Sequence, residues 1–261
     1  DAPVAPQGSF LDFEGDFSVT AKDETTKISL QGLAKGLTSP GAKLLFAALN
    51  REQYQPMFRE LNFTPEELIS NLVDWADPDG ERANGQGYED NLYNRLTDPY
   101  NSKNSGYDTL SELHLVSGMT DELFAIITPL VTPYTTLDKI TLPVQSKEVL
   151  GMLVTSALPG ERFTDSSIDA LWEQYNLNLV MAPTNAKDLA EYLRMNGGNP
   201  KMSQINEENL GQFIEGSRNR EKVFTLTASG RVGDVVRTIE AVIDISKNRA
   251  DGGLLLYWRE E

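Results

Sequence analysis

The strongest constraint on the fold is where two hydrophobic periods occur along the chain. Apolar and polar residues alternate, as in a half-buried strand, over Leu11–Thr20 and again from Glu221 onward. Between these stretches, apolar residues recur at helical spacing after capping residues. Strands at both ends with helices between them predict an α+β fold, in which a large helical insertion interrupts a small antiparallel sheet formed by both chain ends.

The predicted strands define the domain boundaries. Leu11–Thr20 and Lys27–Gln31 are predicted to form a hairpin, and Leu254–Trp258 is predicted to be the last strand. We therefore predict a β domain from residues 1–33 and 221–261. Residues 34–220 are predicted to form the inserted α-helical domain.

Capping residues mark the starts of the predicted helices. Ser39-Pro40 and Thr64-Pro65 each place a side-chain acceptor before a proline at the first helical position, and Glu67 completes a capping box with Thr64. Four later helices are predicted at Ser146–Ala157, Thr164–Tyr175, Thr184–Asn196 and Asn206–Glu215.

The segment Thr109–Ile127 has the pattern of a helix-hairpin-helix unit. A short helix meets a tight turn at Gly118, and a second helix begins after Thr120. Units of this kind bind DNA backbones when basic residues surround the hairpin, whereas here the neighbours are acidic: Glu112, Asp121 and Glu122. We interpret the unit as a packing motif.

Composition excludes several classes of function. The 261 residues carry 39 acidic and 23 basic side chains, a formal net charge of −16, so nucleic acid is not an expected partner. The absence of cysteine excludes thiol chemistry, disulfides and Cys-ligated zinc. The single histidine, His114, excludes a multi-histidine metal site, and we interpret it as a structural residue.

An acidic segment follows the helix that begins at Thr64. Between Leu72 and Asp90 a single base, Arg82, faces six carboxylates: Asp74, Asp77, Asp79, Glu81, Glu89 and Asp90. Such a concentration of negative charge repels itself unless a cation lies within it. Carboxylate oxygens on a loop rich in proline and glycine suit a hard divalent cation, above all Ca²⁺.

Alternatives remain open for this segment. With Asp77 as position 1 of an EF-hand loop, position 6 is Arg82 where glycine is required, and position 12 is Tyr88 where glutamate is required. A solvated acidic loop without an ion would have the same composition. The next polar stretch offers further oxygen ligands from Asp98, Asn101, Asn104 and Asp108. Ordinary turn formation accounts for those four residues as well.

Five sequence blocks have a recognisable combination and order. They are Phe13-Glu-Gly-Asp-Phe-Ser-Val-Thr, Leu72-Val-Asp-Trp-Ala-Asp-Pro-Asp, Gly87-Tyr-Glu-Asp, Leu110-Ser-Glu-Leu-His-Leu-Val-Ser-Gly-Met and Leu255-Leu-Tyr-Trp-Arg-Glu. Together they resemble the K-type minor pseudopilins of bacterial type II secretion systems. Ile140-Thr-Leu-Pro-Val-Gln-Ser departs from the Asn-Val-Asn-Thr-Ala-like segment of that family, and residues 156–220 do not align with it.

The resemblance implies a pilin-like sheet whose helical insertion contains helix-hairpin-helix or SAM-like units, with an N-terminal transmembrane helix before Asp1. It implies a periplasmic domain that is anchored in the inner membrane and lies at the pseudopilus tip. The implied partners are the I-type and J-type minor pseudopilins, and other pseudopilins through the N-terminal helix. It also implies Ca²⁺ in the helical part, with ligands in decreasing order of match: Asp77, Asp79, Glu89 and Asp90 first, then Asp74 and Glu81.

The leading hypothesis is therefore a non-catalytic subunit that caps the pseudopilus or initiates its assembly, for protein export across the outer membrane. The alternative is a carboxylate-based hydrolase of the glycoside type, with Asp77 and Glu89 as the paired acids. A binding module or adhesin on the same scaffold is a third hypothesis.

Overall fold

The structure, a computed structural model, describes residues 15–158, 160, 163–177, 182–198, 200–216, 221–247 and 252–260. Residues 11–14 of the first predicted strand therefore lie outside the described residues. The chain divides into two units. The sheet unit comprises Asp1–Thr25 and Asn219–Glu261, and the helical unit comprises Thr26–Arg218.

The strands and α-helices, in chain order, are β1 (Asp16–Asp23), β2 (Ile28–Ser29), α1 (Pro40–Leu49), α2 (Gln55–Glu60), α3 (Pro65–Ala76), α4 (Asp121–Ile127), β3 (Val131–Thr132), α5 (Lys147–Ala157), α6 (Asp165–Leu177), α7 (Ala186–Asn196), α8 (Glu207–Gly211), β4 (Val223–Val232), β5 (Val235–Asp244) and β6 (Leu254–Glu260). Short 3₁₀ turns include Glu89–Leu92 and Leu110–Leu115. Among the described residues, the helices are too short or too polar to cross a membrane.

The sheet unit contains a four-stranded antiparallel sheet with the strand order β1-β4-β5-β6. One face carries an apolar row across all four strands: Ala21, Leu226, Ala241 and Trp258. The adjacent row points to the opposite face and is polar: Thr20, Thr227, Glu240 and Arg259. The alternation in the sequence therefore corresponds to the two faces of one sheet.

The predicted hairpin between the first strand and Lys27–Gln31 is wrong. β1 pairs with β4, whereas β2 pairs in parallel with β3 in the helical unit, with Ile28 opposite Val131. Ile28, Leu30 and Leu33 are buried in the core of the helical unit, so the chain leaves the sheet unit after Thr25 and not at residue 33. The insertion is consequently not all-helical, because β2 and β3 form a small sheet within it.

Helix α1 packs against α3 and α5 in the core of the helical unit. The predicted caps are present: the Ser39 hydroxyl accepts a hydrogen bond from the Ala42 N–H at 3.2 Å. Thr64 and Glu67 exchange two hydrogen bonds as a capping box, at 2.9 and 3.1 Å. The predicted helix starts after Ser39 and Thr64 match α1 and α3, and the predicted ranges match α5–α7 to within two residues at each end, whereas α8 ends at Gly211 instead of residue 215.

The predicted helix-hairpin-helix is formed by the 3₁₀ turn Leu110–Leu115 and α4. Between them Gly118 has a φ of +86°, a conformation that favours glycine, and a Cβ atom at this position would overlap the Phe63 ring. The turn therefore requires glycine for two independent reasons.

We expect Gly118→Ala to destabilise the protein more than Gly198→Ala. Gly198 also has a positive φ, +63°, but a Cβ atom there would meet no atom of the described residues within 4 Å. Positive φ alone costs about 1–2 kcal/mol for alanine, and overlap with a packed ring adds about 1–3 kcal/mol. The free energies of unfolding would be measured by urea denaturation. Equal losses in the two variants would contradict the close contact between Gly118 and Phe63.

Candidate metal centre

The end of α3 supplies two carboxylates. The helix buries an apolar stripe that includes Leu68 and Leu72, and Pro78 disfavours helical conformation in the residue before it. Asp77 is therefore the C-cap, with extended backbone and an N–H that donates to the Val73 carbonyl at 2.9 Å. Asp74, in the last turn, is fully buried, and Asp77 is 8% exposed.

The loop after α3 folds back on itself and delivers a third carboxylate. The Arg82 N–H donates to the Gly87 carbonyl at 2.9 Å, and the Gly85 N–H donates to the Arg82 carbonyl at 2.7 Å. Gly85 and Gly87 have φ of +73° and +95°, which the turn requires and other residues rarely adopt. A hydrogen bond of 3.2 Å from the Glu89 N–H to the Gly80 carbonyl closes the loop and brings Glu89 back to α3.

Asp74, Asp77 and Glu89 form the candidate metal centre. Each offers a carboxylate oxygen, and these three atoms lie within 4.8 Å of one another. One Asp74 oxygen accepts a hydrogen bond from the Ala83 N–H at 2.7 Å. The other Asp74 oxygen, Asp77 Oδ1 and both Glu89 oxygens are buried and have no hydrogen-bond partner among the described residues. Buried, unpaired carboxylate oxygens are costly unless they bind a cation or a proton, and an all-oxygen donor set fits Ca²⁺.

Burial is the main cause of raised pKa values at this centre. Burial, together with the charges of Asp77 and Asp74, raises the pKa of Glu89 to about 7, although the nearby Ser102 hydroxyl opposes the rise. Burial and the charges of Asp79 and Asp74 raise the pKa of Asp77 to about 6. Burial also raises the pKa of Asp74, against the Ala83 N–H and the Arg82 guanidinium. A cation at this centre would therefore compete with protons for the same oxygens near neutral pH.

The polar segment 98–108 lies against the acidic loop. Asn104, with a φ of +50°, donates through Nδ2 to the Asp79 carbonyl at 2.7 Å, and no described residue forms a hydrogen bond with its buried Oδ1. The Ser102 N–H donates to Asp90 Oδ1 at 3.2 Å. The segment therefore closes over the loop through Asn104 and Ser102.

Two ion pairs of Lys103 hold this segment in place. Lys103 Nζ lies 2.7 Å from a carboxylate oxygen of both Asp108 and Glu112. Burial alone would raise the pKa of Glu112. Lys103 and hydrogen bonds from the Thr109 and Asp108 N–H groups outweigh burial and lower the pKa below its usual value. Asp108 is thus an ion-pair partner, and the other two candidates in this segment, Asp98 and Asn101, are exposed.

The structure brings three of the six predicted ligands together and leaves three outside the centre. Asp79 and Glu81 are exposed, and Asp79 Oδ1 accepts the Glu81 N–H at 2.8 Å. Asp90 is half-buried and accepts from Ser102. Asp74, one of the two ligands placed last by the resemblance, is the most deeply buried aspartate of the centre.

One residue of the site was not singled out from the sequence. Asn71 Oδ1 accepts a hydrogen bond of 3.0 Å from the Arg82 guanidinium. Asn71 lies three residues before Asp74 on α3, a spacing that places both side chains on one helix face. This spacing was the available signal.

The geometry does not favour the hydrolase alternative. Glycosidases place two carboxyl groups about 5–10 Å apart across a cleft that admits a sugar. Asp77 and Glu89 are buried, and their ligand oxygens lie within 4.8 Å. A cavity of about 1330 Å³ lies elsewhere in the helical unit, lined by residues such as Phe46 and Phe163, and neither paired acid lines it.

The fold is shared with a chain in the crystal structure of the GspK-GspI-GspJ complex from the enterotoxigenic Escherichia coli type 2 secretion system. The two chains are 18% identical, with a TM-score of 0.60, and the match covers 97% of this chain and 82% of that chain. The protein is thus an α+β protein of that fold, and the predicted fold class is confirmed.

Residues 30–136 match the family described as type II secretion system (T2SS), protein K. This part of the chain contains α1–α4 and the whole candidate metal centre. The match confirms, over these residues, the resemblance to the K-type minor pseudopilins. No curated protein sequence matches the chain.

The raised pKa values predict how the stability of the ion-free protein depends on pH. A carboxyl with a raised pKa in the folded state binds more protons folded than unfolded, so its contribution falls as pH rises through the folded value. The pKa of Glu89 rises from 4.5 to about 7 and that of Asp77 from 3.8 to about 6, which places this loss between about pH 4 and 7. In EGTA, the free energy of unfolding should therefore be higher at pH 5.5 than at pH 8.

Urea denaturation at several pH values would measure this dependence, with Glu89→Gln as the matched variant. The amide cannot ionise, so we expect a flatter profile between pH 5.5 and 8 for that variant. A wild-type stability that rises with pH over this range would contradict the buried, repelling carboxylates.

Proposed function

We propose that this chain is a non-catalytic K-type minor pseudopilin that caps the type II secretion pseudopilus at its tip, or initiates its assembly, for protein export across the outer membrane. The match of residues 30–136 to T2SS protein K carries the proposal. The fold shared with a chain of the GspK-GspI-GspJ complex supports it and suggests I-type and J-type minor pseudopilins as partners.

The division of the chain suggests a steric mechanism. The helical unit, Thr26–Arg218, contains far more of the chain than the sheet unit does. A subunit that carries so large an insertion would leave little room for another subunit to add above it. Such a subunit would occupy the end of a fibre and not its middle.

We also propose that the chain is periplasmic and anchored in the inner membrane by an apolar helix that precedes the sheet. The open apolar face of the sheet supports this proposal: Phe17, Val19, Leu226 and Ile239 are only partly buried, and Trp258 is 55% exposed. An apolar helix laid on this face would remove these side chains from water. The same helix would contact other pseudopilins in the fibre.

We further propose that Asp74, Asp77 and Glu89 hold Ca²⁺. Their unpaired buried oxygens support the proposal, because a divalent cation would relieve both the desolvation and the mutual repulsion. A bound ion would tie the end of α3 to the start of the Glu89–Leu92 turn, and so stabilise the loop between them.

Calcium should raise the melting temperature of the wild-type protein relative to EGTA. A ligand present at about 100 times its Kd stabilises the native state by about 2.7 kcal/mol. Glu89→Gln should lose this difference, whereas Glu81→Gln, an exposed carboxylate of the same loop, should keep it. In EGTA, Glu89→Gln should be at least as stable as wild type at pH 8, because the substitution removes a buried charge.

Differential scanning calorimetry of the three proteins, each in EGTA and in excess Ca²⁺, would measure these differences. A wild-type melting temperature that is the same in both solutions would contradict the calcium proposal. Equal loss in Glu89→Gln and Glu81→Gln would show that the ion binds elsewhere in the loop.

The chain should form a heteromer with the I-type and J-type minor pseudopilins of the same organism. We expect a complex of the three periplasmic domains at tens of micromolar or below, measured by sedimentation velocity. An unrelated acidic protein of similar net charge serves as the control for non-specific attraction. If the three domains sediment separately at about 50 μM, the tip proposal loses its support while the calcium proposal stands.

A further inference from the structure

Arg82 lies beside the candidate metal centre and is largely buried. Its side chain is 15% exposed, and its guanidinium donates to Asn71 Oδ1 at 3.0 Å. Arg82 Nε is 3.6 Å from Asp74 Oδ2, too far for a hydrogen bond, and both atoms are buried with no hydrogen-bond partner in the part of the chain that the structure describes. Asn71 therefore holds the positive charge close to the carboxylates while Asp74 Oδ2 keeps its lone pairs free.

The buried charges around this point have a simple sum. Asp74, Asp77 and Glu89 contribute three negative charges when ionised, and Arg82 contributes one positive charge, so the set carries two negative charges. A divalent cation brings this set to neutrality. A monovalent cation leaves one negative charge and a trivalent cation leaves one positive charge, and a net charge is costly in a buried site.

We propose that Arg82 is a built-in counter-charge that matches the centre to divalent cations and thereby sets its selectivity by valence. The proposal rests on the calcium site proposed above. Arg82 supplies one of the three positive charges that the three carboxylates require, and a divalent cation supplies the other two. It also partly neutralises Asp74 when no ion is bound.

A ratio of affinities isolates this role from a structural one. Replacing Arg82 also removes the hydrogen bond to Asn71, which loosens the loop and weakens binding of every cation by a similar factor. The ratio of Kd for Ca²⁺ to Kd for La³⁺ cancels that shared factor, because the two ions have similar ligand preferences and differ in charge. The ratio therefore reports the electrostatic contribution of Arg82.

The test is isothermal titration calorimetry of wild type, Arg82→Gln, Arg82→Lys and Arg95→Gln with Ca²⁺ and with La³⁺. We expect the ratio of Kd for Ca²⁺ to Kd for La³⁺ to rise about tenfold or more in Arg82→Gln, because removal of a nearby positive charge favours the ion of higher valence. Arg82→Lys keeps the charge and should stay within about threefold of wild type. Arg95 is an exposed arginine a short distance along the chain, so Arg95→Gln should match wild type.

The remaining outcomes are decisive. An unchanged ratio in Arg82→Gln, or an equal change in Arg95→Gln, would overturn the proposal and leave the calcium site standing. Absence of binding of either ion to wild type would refute the calcium site and this proposal with it. If Arg82→Gln is unfolded in EGTA, the concentrations of Ca²⁺ and La³⁺ that restore folding supply the ratio instead, and a tenfold rise over wild type supports the counter-charge role while an unchanged ratio overturns it. If neither Arg82→Gln nor Arg82→Met folds with either ion, the arginine is required for structure and the proposal fails.

Discussion

Repulsion among the carboxylates of Asp74, Asp77 and Glu89 is the constraint around which residues 74–112 are arranged. The three groups are buried within 4.8 Å of one another, and the surrounding chain compensates for them locally. The Ala83 N–H and the Arg82 guanidinium face Asp74, while Lys103 ties the neighbouring segment to Glu112. Each of these contacts reduces the free-energy cost of the concentrated negative charge. Several carboxylate oxygens of Asp74, Asp77 and Glu89 nevertheless remain without a hydrogen bond from the described residues.

An aromatic cluster supplies the rigid support behind these charges. Trp75 contacts the rings of Tyr93 and Tyr100 edge to face, with centroids 5.7 and 6.2 Å away. The hydroxyl of the fully buried Tyr107 donates to the Leu72 carbonyl at 2.9 Å. The segment that follows the acidic loop is therefore fixed to α3 by packing, which restricts movement of the carboxylates apart into water.

Local signals in the sequence predicted the elements that local chemistry controls. The capping box at Thr64 and the proline at position 78 define both ends of α3, and the period of two in β4 and β5 defines their apolar face. The pairing of β2 with β3 was missed because two-residue strands far apart in the chain have no local signal. α2 was missed because Gln55–Glu60 is too short for a helical stripe to stand out.

The candidate site shows the same limit. Composition identified six acidic residues, but it cannot distinguish the carboxylates that are buried together from those that face solvent. This distinction depends on the path by which the loop folds back toward α3. The positive φ values at Gly85 and Gly87 return the chain so that Glu89 faces α3, while Asp79 and Glu81 remain exposed. The pairing of Arg82 with Asn71 depends on the same return, and so became visible only in three dimensions.

The insertion begins and ends at neighbouring points of one sheet. β1 ends at Asp23, opposite Phe224 near the start of β4, so the whole helical unit connects two adjacent strands. The entropic cost of closing such a connection grows only with the logarithm of its length. A shorter or longer insertion could therefore replace the helical unit between β1 and β4 while the strand register stays the same. The same sheet could in this way carry inserted domains of different size.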